Sequence, residues 1–336
     1  MATRVAINGF GRIGRTLFKV LTDRNAPLEV MAVNDLSSPS DLAHLLKYDS
    51  VHGVWPREVS ATEDTIVVDG KAVKCLKVSD PAQSPWHELK VDIVLESSGR
   101  FVDREGCQKH INAGARKVIV TAPGKGMDAT FVLGVNEGSY DPSSHHIVSN
   151  ASCTTNCLAP IAALLNDHFV IEHGLMTTIH SYTMDQRLLD ALHKDRRRMR
   201  AAALSMVPTT TGAAKAVAEV IPELKGKMDG VAIRVPTPNV SLVDLVCRLG
   251  RDVTRDEVNK VLEDAANGPL KGILNFVKEE LVSVDFNHTY YSSSVDSALT
   301  NVIGGRMVKI FSWYDNEFGY SSRVIDLATM MGRSLE

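Results

Sequence analysis

RVAINGFGRIGRTLFKVL, at residues 4–21, reads as a buried strand, a glycine-rich turn and a helix. The strand runs from Arg4 to Asn8, and a helical pattern follows the turn as far as Leu21. Gly9, Gly11 and Gly14 stand in a G-x-G-x-x-G pattern, listed here in that order. The first permits a tight turn, the second lets the backbone approach a pyrophosphate, and the third lets helix and strand pack closely. We therefore expect a dinucleotide at the helix N-terminus.

An acidic residue follows the next predicted strand. Leu28 to Asn34 is β-prone, and Asp35 comes directly after it, where a carboxylate can accept hydrogen bonds from an adenosine ribose. A second anion at this point is unfavourable, so Asp35 favours NAD over NADP without excluding the latter. The alternative is a turn or helix-cap residue before Ser37.

Further apolar runs continue this alternation of strands and helices. Residues 91–96, 117–121 and 146–149 read as strands, and residues 104–113 as a helix between two of them. Such repetition predicts an α/β fold with a doubly wound parallel Rossmann sheet. Ligands bind beyond the carboxyl ends of strands in such sheets, and Cys153 follows the last of these strands.

The pattern changes after Cys153. Residues 176–182, 228–235, 240–249 and 306–313 read as long strands of alternating polarity. They predict a second domain of α+β class, with a mixed, mainly antiparallel sheet covered by helices. No long linker separates the halves, so we expect the cysteine at their junction.

Composition excludes several classes of protein. The chain is 44% hydrophobic and 23% charged, with a net charge of −3, which is typical of a soluble globular protein of two domains. It has neither an export signal nor an apolar run of membrane-spanning length, so we expect a cytoplasmic protein with no membrane partner. The five cysteines are not in paired Cys-x-x-Cys motifs, which argues against disulfides and against a metal site.

Cys153 and His180 are the candidate catalytic pair. A cysteine at a helix start feels the positive end of the helix dipole, which favours the nucleophilic thiolate. His180 lies in a β-prone run and has a pKa suited to proton transfer. Each residue also has a structural interpretation. Cys153 could be a buried, inert thiol, and His180 could be a structural histidine of the strand.

Two further elements suit a phosphate. Residues 208–215 (PTTTGAAK) place hydroxyl and backbone N–H groups before a predicted helix, and Arg234 is a cation in an apolar strand. The alternatives are a helix cap and a buried ion pair. The basic run at 194–200 reads as a solvated face or a nucleic-acid patch, and the net negative charge disfavours the second.

Together these motifs closely resemble the phosphorylating glyceraldehyde-3-phosphate dehydrogenases over essentially the whole chain. The matching segments are INGFGRIGR (7–15), HLLKYDSVHG (44–53), SNASCTTNCLAP (149–160), HSYT (180–183), VPTTTGAAKAV (207–217), RVPTPNVSLVDL (234–245) and SWYDNEFGYS (312–321). The resemblance implies a Rossmann domain at 1–151 completed by a helix at 317–336, a catalytic domain at 152–316, and a homotetramer.

The resemblance also assigns roles to residues. Cys153 matches the nucleophile and His180 its acid/base partner. The residues matching the two anion sites, for substrate phosphate and inorganic phosphate, are Ser152, Thr154, Thr183, Arg198, Thr211, Gly212 and Arg234. Besides the three glycines, the residues matching NAD contacts are Arg12, Ile13, Asp35, Thr121 and Asn316, the last at the nicotinamide carboxamide.

The implied reaction is NAD-dependent oxidation of glyceraldehyde 3-phosphate to 1,3-bisphosphoglycerate through a hemithioacetal and a thioester on the cysteine, with a role in glycolysis or gluconeogenesis. Alternatives are an erythrose-4-phosphate dehydrogenase, which the intact Thr211-Gly212 motif disfavours, and an arsenate-linked role in which arsenate is the acyl acceptor. From another class, the Rossmann groove could serve a nucleotide-binding or RNA-binding module, although no nucleic acid is required. Ser79, Met184 and Leu192 depart from the family pattern and leave the choice between NAD and NADP less secure.

Overall fold

The computed structural model describes residues 2–335, and its internal contacts divide the chain into two compact units. The first unit takes in the chain up to Phe131, residues 138–151 and the chain from Ser321 onwards. The second comprises Val132–Glu137 and Ser152–Tyr320. Among the described residues, no helix combines the length and apolar character needed to cross a membrane.

The first unit contains eleven strands. They are β1 (Thr3–Asn8), β2 (Leu28–Asn34), β3 (Tyr48–Asp49), β4 (Gly53–Val54), β5 (Val59–Ala61), β6 (Thr65–Val68), β7 (Lys71–Leu76), β8 (Ile93–Glu96), β9 (Lys117–Val120), β10 (Ala129–Thr130) and β11 (Ile147–Ser149). Nine form one sheet in the order β10-β11-β9-β8-β1-β2-β7-β6-β5, while β3 and β4 pair separately. The sheet is parallel from β10 to β7, and β6 and β5 extend it as an antiparallel edge.

Three helices of this unit connect the strands, namely α1 (Arg12–Asp23), α2 (Pro39–Lys47) and α3 (Arg104–Asn112). Ser38 and Asp103 cap the second and third by accepting backbone N–H groups. Both faces of the central strands are covered, because consecutive residues such as Ile93, Val94 and Leu95 are completely buried. The predicted doubly wound parallel sheet is confirmed.

The second unit contains eight strands. They are β12 (Ile171–Ser181), β13 (Val207–Thr210), β14 (Met228–Val235), β15 (Ser241–Leu249), β16 (Leu274–Val277), β17 (Ser293–Asp296), β18 (Asn301–Ile303) and β19 (Met307–Tyr314). They form one sheet in the order β13-β14-β12-β15-β19-β17-β16, with β18 beside β19. Only β12–β14 and β16–β17 are parallel pairs, so the predicted mixed, mainly antiparallel sheet is confirmed.

The remaining helices are α4 (Cys153–Phe169), α5 (Ala213–Val220), α6 (Arg255–Asn267) and α7 (Phe318–Arg333), the last of which belongs to the first unit from Ser321 onwards. Short 3₁₀ turns occur at Pro81–Gln83, Glu137–Ser139, Pro222–Leu224, Ser283–Phe286 and Ser297–Leu299. Two features of the second unit place the candidate site. α4 begins at Cys153, and the parallel register of β12 and β14 sets His180 beside Arg234.

Candidate active site

Cys153 is the first residue of α4, and Ser152 caps that helix. The Ser152 hydroxyl accepts a hydrogen bond from the Thr155 backbone N–H at 3.0 Å, which satisfies one of the free donors of the first turn. Ala151, one residue earlier, has φ 54°, a left-handed conformation that costs a non-glycine residue free energy. The turn therefore holds the sulfur at the positive end of the helix.

The sulfur faces a histidine. Sγ of Cys153 lies 3.6 Å from Nε2 of His180, and Nδ1 of the same ring lies 2.7 Å from the Ser181 carbonyl oxygen. The carbonyl oxygen can only accept and favours the tautomer with the proton on Nδ1, whereas Nη1 of Arg234, 2.7 Å from the same atom, can only donate and favours the other. Action of His180 as a base toward the thiol requires the first tautomer. Nε2 then presents a lone pair to the thiol, so the two side chains can exchange a proton.

Neutral forms of both groups are favoured by the surrounding residues. Burial, followed by the charge of Arg234, lowers the pKa of His180 to about 3. Burial also raises the pKa of the Cys153 thiol, and Arg234 and hydrogen bonds from Thr154 offset only part of that effect. The dipole of α4 favours a thiolate. Desolvation acts in the opposite direction, because the charged form of a partly buried sulfur is poorly solvated.

Arg234 is a half-buried cation beside this pair. Its Nη1 lies 2.7 Å from Nδ1 of His180 and donates to the Ser181 carbonyl at 2.9 Å. Its buried Nε has no hydrogen-bond partner, and no carboxylate of residues 2–335 forms an ion pair with it. The alternative reading of a buried ion pair is therefore wrong. A guanidinium with unused donors is suited to bind an anion.

Arg198 is held differently. Its guanidinium pairs with Asp185, lies 3.6 Å from Asp195, and donates through Nε to the Thr209 hydroxyl at 3.0 Å. The two carboxylates offset its charge, so an anion bound at Arg198 has to compete with them. The sequence marked Arg198 but not its acidic partners, because the pairing depends on how residues 183–211 fold back on themselves.

The residues proposed for the anion sites, apart from the two arginines, are either buried or accessible to solvent. Thr154 is buried, and its hydroxyl lies 2.8 Å from that of Tyr314. Thr211 accepts a hydrogen bond from the Ala213 backbone N–H, and Gly212 is the N-cap of α5. The residues of this set that keep accessible surface are Ser152, Thr183, Thr211 and Gly212.

Asn316 lies in the second unit and is only 7% exposed. Its Oδ1 accepts hydrogen bonds from the hydroxyls of Ser181 and Ser241, both at 2.9 Å. Sequence reasoning missed both serines, and it missed Tyr314. All three lie within recognised motifs, but only the strand register reveals their partners.

The first unit has the features that a dinucleotide needs. A Cβ at Gly9 would lie 2.4 Å from Ser98 Cα, and one at Gly14 would lie 2.1 Å from the Gly9 oxygen, so neither position admits a side chain. A Cβ at Gly11 would meet nothing within 4 Å, and no side chain caps α1. The open space at Gly11, at the positive end of α1, therefore fits a pyrophosphate.

The other proposed cofactor residues of this unit surround the same turn and the ends of the parallel strands. Asp35 accepts the Phe10 N–H at 3.0 Å and the Ser37 N–H at 3.1 Å, which supports the turn reading and leaves lone pairs for ribose hydroxyls. Arg12 pairs with Asp49 at 3.2 Å. Thr121 donates its hydroxyl to the Glu96 carbonyl, and Ile13 is partly exposed in the first turn of α1.

Comparison with known proteins agrees with this geometry. The family model "Glyceraldehyde 3-phosphate dehydrogenase, NAD binding domain" matches residues 3–104, and the corresponding "C-terminal domain" model matches residues 152–316. Glyceraldehyde-3-phosphate dehydrogenase of Geobacillus stearothermophilus is 59% identical over 328 residues, 98% of each chain. The Streptomyces coelicolor protein of that name is 55% identical over 336 residues, all of both chains, and glyceraldehyde-3-phosphate dehydrogenase 2 of Trichormus variabilis is 57% identical over 330 residues, 98% of each chain. The chain therefore belongs to the glyceraldehyde-3-phosphate dehydrogenase family of NAD-dependent oxidoreductases.

Proposed function

We propose that the chain catalyses NAD-dependent, phosphate-dependent oxidation of glyceraldehyde 3-phosphate to 1,3-bisphosphoglycerate. The observation that carries this proposal is the grouping of Cys153, His180 and the unpaired Arg234. It combines a nucleophile, a proton acceptor and an anion ligand within one hydrogen-bonded group. The relatives carry the same name as the family, so neither an erythrose-4-phosphate substrate nor an arsenate-linked role is favoured.

The first half-reaction is addition of the thiol to the aldehyde carbon. A carbon–sulfur bond forms, the thiol proton passes to Nε2 of His180, and that proton then reaches the developing oxyanion to give a hemithioacetal on Cys153. Backbone N–H groups at the start of α4 stabilise the oxyanion, an effect typically worth about 3 kcal/mol per donor. NAD, when bound, would supply the acceptor for the hydride that leaves the hemithioacetal carbon. His180 takes the hydroxyl proton as the hemithioacetal becomes a thioester.

The second half-reaction is attack of inorganic phosphate on the thioester. The new carbon–oxygen bond forms the acyl phosphate, the carbon–sulfur bond breaks, and the proton on His180 returns to the sulfur. Thr211, Gly212 and an arginine supply the pocket that favours phosphate over water. The remaining anion ligands of the proposal are Ser152, Thr154, Thr183 and Arg198.

Substrate binding also changes the basicity of His180. The charge of Arg234 is the second largest cause of the low His180 pKa. An anion bound at Arg234 offsets that charge, so the imidazole becomes a stronger base when the phosphorylated substrate is present.

NAD is the cofactor of the family domain, and the proposal adds its contacts. Gly9, Gly11 and Gly14 admit the pyrophosphate, and Asp35 accepts the ribose hydroxyls. The other proposed contacts are Arg12, Ile13, Thr121 and Asn316.

The proposal includes assembly into a homotetramer in the cytoplasm. Six large apolar side chains of one segment are 71–86% exposed, namely those of Met184, Leu188, Leu189, Leu192, Leu204 and Met206. One face of the second sheet also presents Leu175, Val231 and Met307 to solvent, exposed by 68%, 51% and 42%. Apolar surface of this extent is typical of subunit contacts. Light scattering should give a tetramer, and a monomeric mass for the wild type would refute this part of the proposal.

The decisive assay follows NAD reduction with glyceraldehyde 3-phosphate and with phosphate, arsenate or neither. We expect sustained turnover only with an acyl-acceptor anion, and no reduction under any condition would refute the proposed function. The variant Cys153→Ser should lose turnover and still bind NAD. Retained turnover would identify a different nucleophile.

A further inference from the structure

The amide of Asn316 is held by two serines from neighbouring strands. Ser181 ends β12 and Ser241 begins β15, and both are almost completely buried. Each hydroxyl lies 2.9 Å from Oδ1 of Asn316, and the Ser181 backbone N–H donates to the Ser241 hydroxyl oxygen at 3.1 Å.

The count of donors and acceptors fixes which way the amide faces. Each serine has one hydroxyl proton, and Oδ1 of Asn316 has two lone pairs that accept both. If the amide turned over, Nδ2 would face the two hydroxyl oxygens, and the two hydroxyl protons would lose their shared acceptor. The serine oxygens are 3.4 Å apart, so one hydroxyl could at best bond weakly to the other. Burial makes a lost acceptor costly, and the observed orientation is therefore the stable one.

This orientation leaves Nδ2 of Asn316 with no hydrogen-bond partner among residues 2–335, although the side chain as a whole is only 7% exposed. Two N–H donors are thus available for an acceptor that the chain does not supply. A carbonyl oxygen is one group that can accept a hydrogen bond from such a donor.

We propose that Ser181 and Ser241 are positioning residues that lock the Asn316 amide so that it presents donors to the carbonyl oxygen of the nicotinamide carboxamide. This inference rests on the proposed function and adds the residues that set the orientation. Ser181 has a second role in the same group, because its carbonyl oxygen also orients the His180 ring. Ser181 therefore contacts both His180, the proposed proton-transfer residue, and Asn316, the residue proposed to bind the nicotinamide.

The test compares equilibrium binding of NAD with that of 3-acetylpyridine adenine dinucleotide, measured by calorimetry. The analogue keeps the carbonyl oxygen and lacks the amide N–H₂. A locked Asn316 contacts only the carbonyl and cannot distinguish the two. An unlocked Asn316 can turn and accept a hydrogen bond from NAD but not from the analogue.

We expect the double variant Ser181→Ala/Ser241→Ala to shift the ratio of the two dissociation constants by about 5-fold in favour of NAD, the size of one hydrogen bond. Asn316→Asp, whose carboxylate only accepts, should shift the ratio in the same direction. Ser292→Ala is the matched control, because that serine is also buried in the second unit and its hydroxyl has no hydrogen-bond partner.

An unchanged ratio in the double variant, with Asn316→Asp shifting it, would overturn the lock. An unchanged ratio in Asn316→Asp would overturn the nicotinamide contact and the inference with it. Failure of the wild type to bind NAD would instead refute the proposed function. A far-ultraviolet circular dichroism spectrum like that of the wild type shows that the variants are folded, so a shift in the ratio reports on orientation.

Discussion

Nδ1 of His180 lies 2.7 Å from the carbonyl oxygen of Ser181, an acceptor, and equally close to Nη1 of Arg234, a donor. The carbonyl favours the tautomer with the proton on Nδ1, in which Nε2 faces Cys153 as an acceptor. Arg234 donates to the same carbonyl and lies against the ring. The backbone carbonyl of one residue thus contacts both the proposed base and the proposed anion ligand.

The first prediction concerns removal of the base. His180→Gln should lower kcat by about 100- to 10,000-fold, the usual contribution of a general acid–base residue, with little change in the dissociation constant for NAD. Steady-state kinetics and calorimetry measure the two quantities. His168→Gln is the control, because that histidine is exposed near the end of α4 and should tolerate the change. A kcat within a few-fold of wild type would remove His180 from the mechanism.

The second prediction concerns the charge of Arg234. That charge lowers the pKa of Cys153 by favouring the thiolate and lowers the pKa of His180 by opposing the imidazolium. Arg234→Gln should therefore raise both pKa values. The pH dependence of Cys153 alkylation by iodoacetamide, with Cys153→Ser as the background, should move to higher pH.

Arg306→Gln is the control for this shift, because Arg306 is partly exposed, pairs with Asp252 and does not contribute to the pKa of Cys153. A shift of the Arg234→Gln profile to lower pH would contradict the assigned direction of the electrostatic effect.

Local pattern was sufficient to predict much of the fold. β2 and β14 have the bounds that the apolar runs predicted, because strong turn signals flank both. The residue pattern predicts a helix over 155–165, whereas α4 begins at Cys153, since Ser152 caps it, and continues to Phe169. β12 begins at Ile171 rather than at Met176, because the strand extends beyond the segment of obvious alternation.

The parts that local pattern could not predict depend on contacts between distant segments. Residue types and motifs identified Cys153 and His180, but the 3.6 Å separation follows from how α4 meets β12. The resemblance suggested an anion site at Arg198, and its acidic partner Asp185 became visible only with the fold. Burial raises the pKa of the Cys153 thiol against the effect of the helix dipole, and the extent of burial cannot be read from sequence.

The third prediction concerns a buried carboxylate beneath the dinucleotide turn. Glu96 is 2% exposed and accepts hydrogen bonds from Asn8, from the Ser98 N–H and hydroxyl, and from Nε2 of His110. Trp86 donates to Nδ1 of His110 and so fixes the proton on Nε2. All partners of the carboxylate are therefore donors.

Glu96→Gln would set an amide N–H₂ against some of these donors and should destabilise the protein by about 2 kcal/mol or more. Chemical denaturation measures the change. Glu63→Gln, at an exposed position, is the control and should lie within about 0.5 kcal/mol of wild type. Equal stability of the two variants would show that the network has another protonation pattern.

The last prediction concerns the choice between NAD and NADP. The Asp35 carboxylate accepts hydrogen bonds from the N–H groups of Phe10, in the dinucleotide turn, and of Ser37. Its negative charge therefore lies beside the turn. A 2′-phosphate near this carboxylate would be repelled, whereas ribose hydroxyls could donate to it. Asp35→Asn keeps an acceptor for a backbone N–H and removes the charge. The ratio of kcat/KM for NADP to kcat/KM for NAD should therefore rise by about 10-fold, chiefly through the KM for NADP. A wild-type enzyme that already prefers NADP would contradict the role of Asp35, and so would an unchanged ratio in the variant, because in either outcome the carboxylate would not be the group that selects the cofactor.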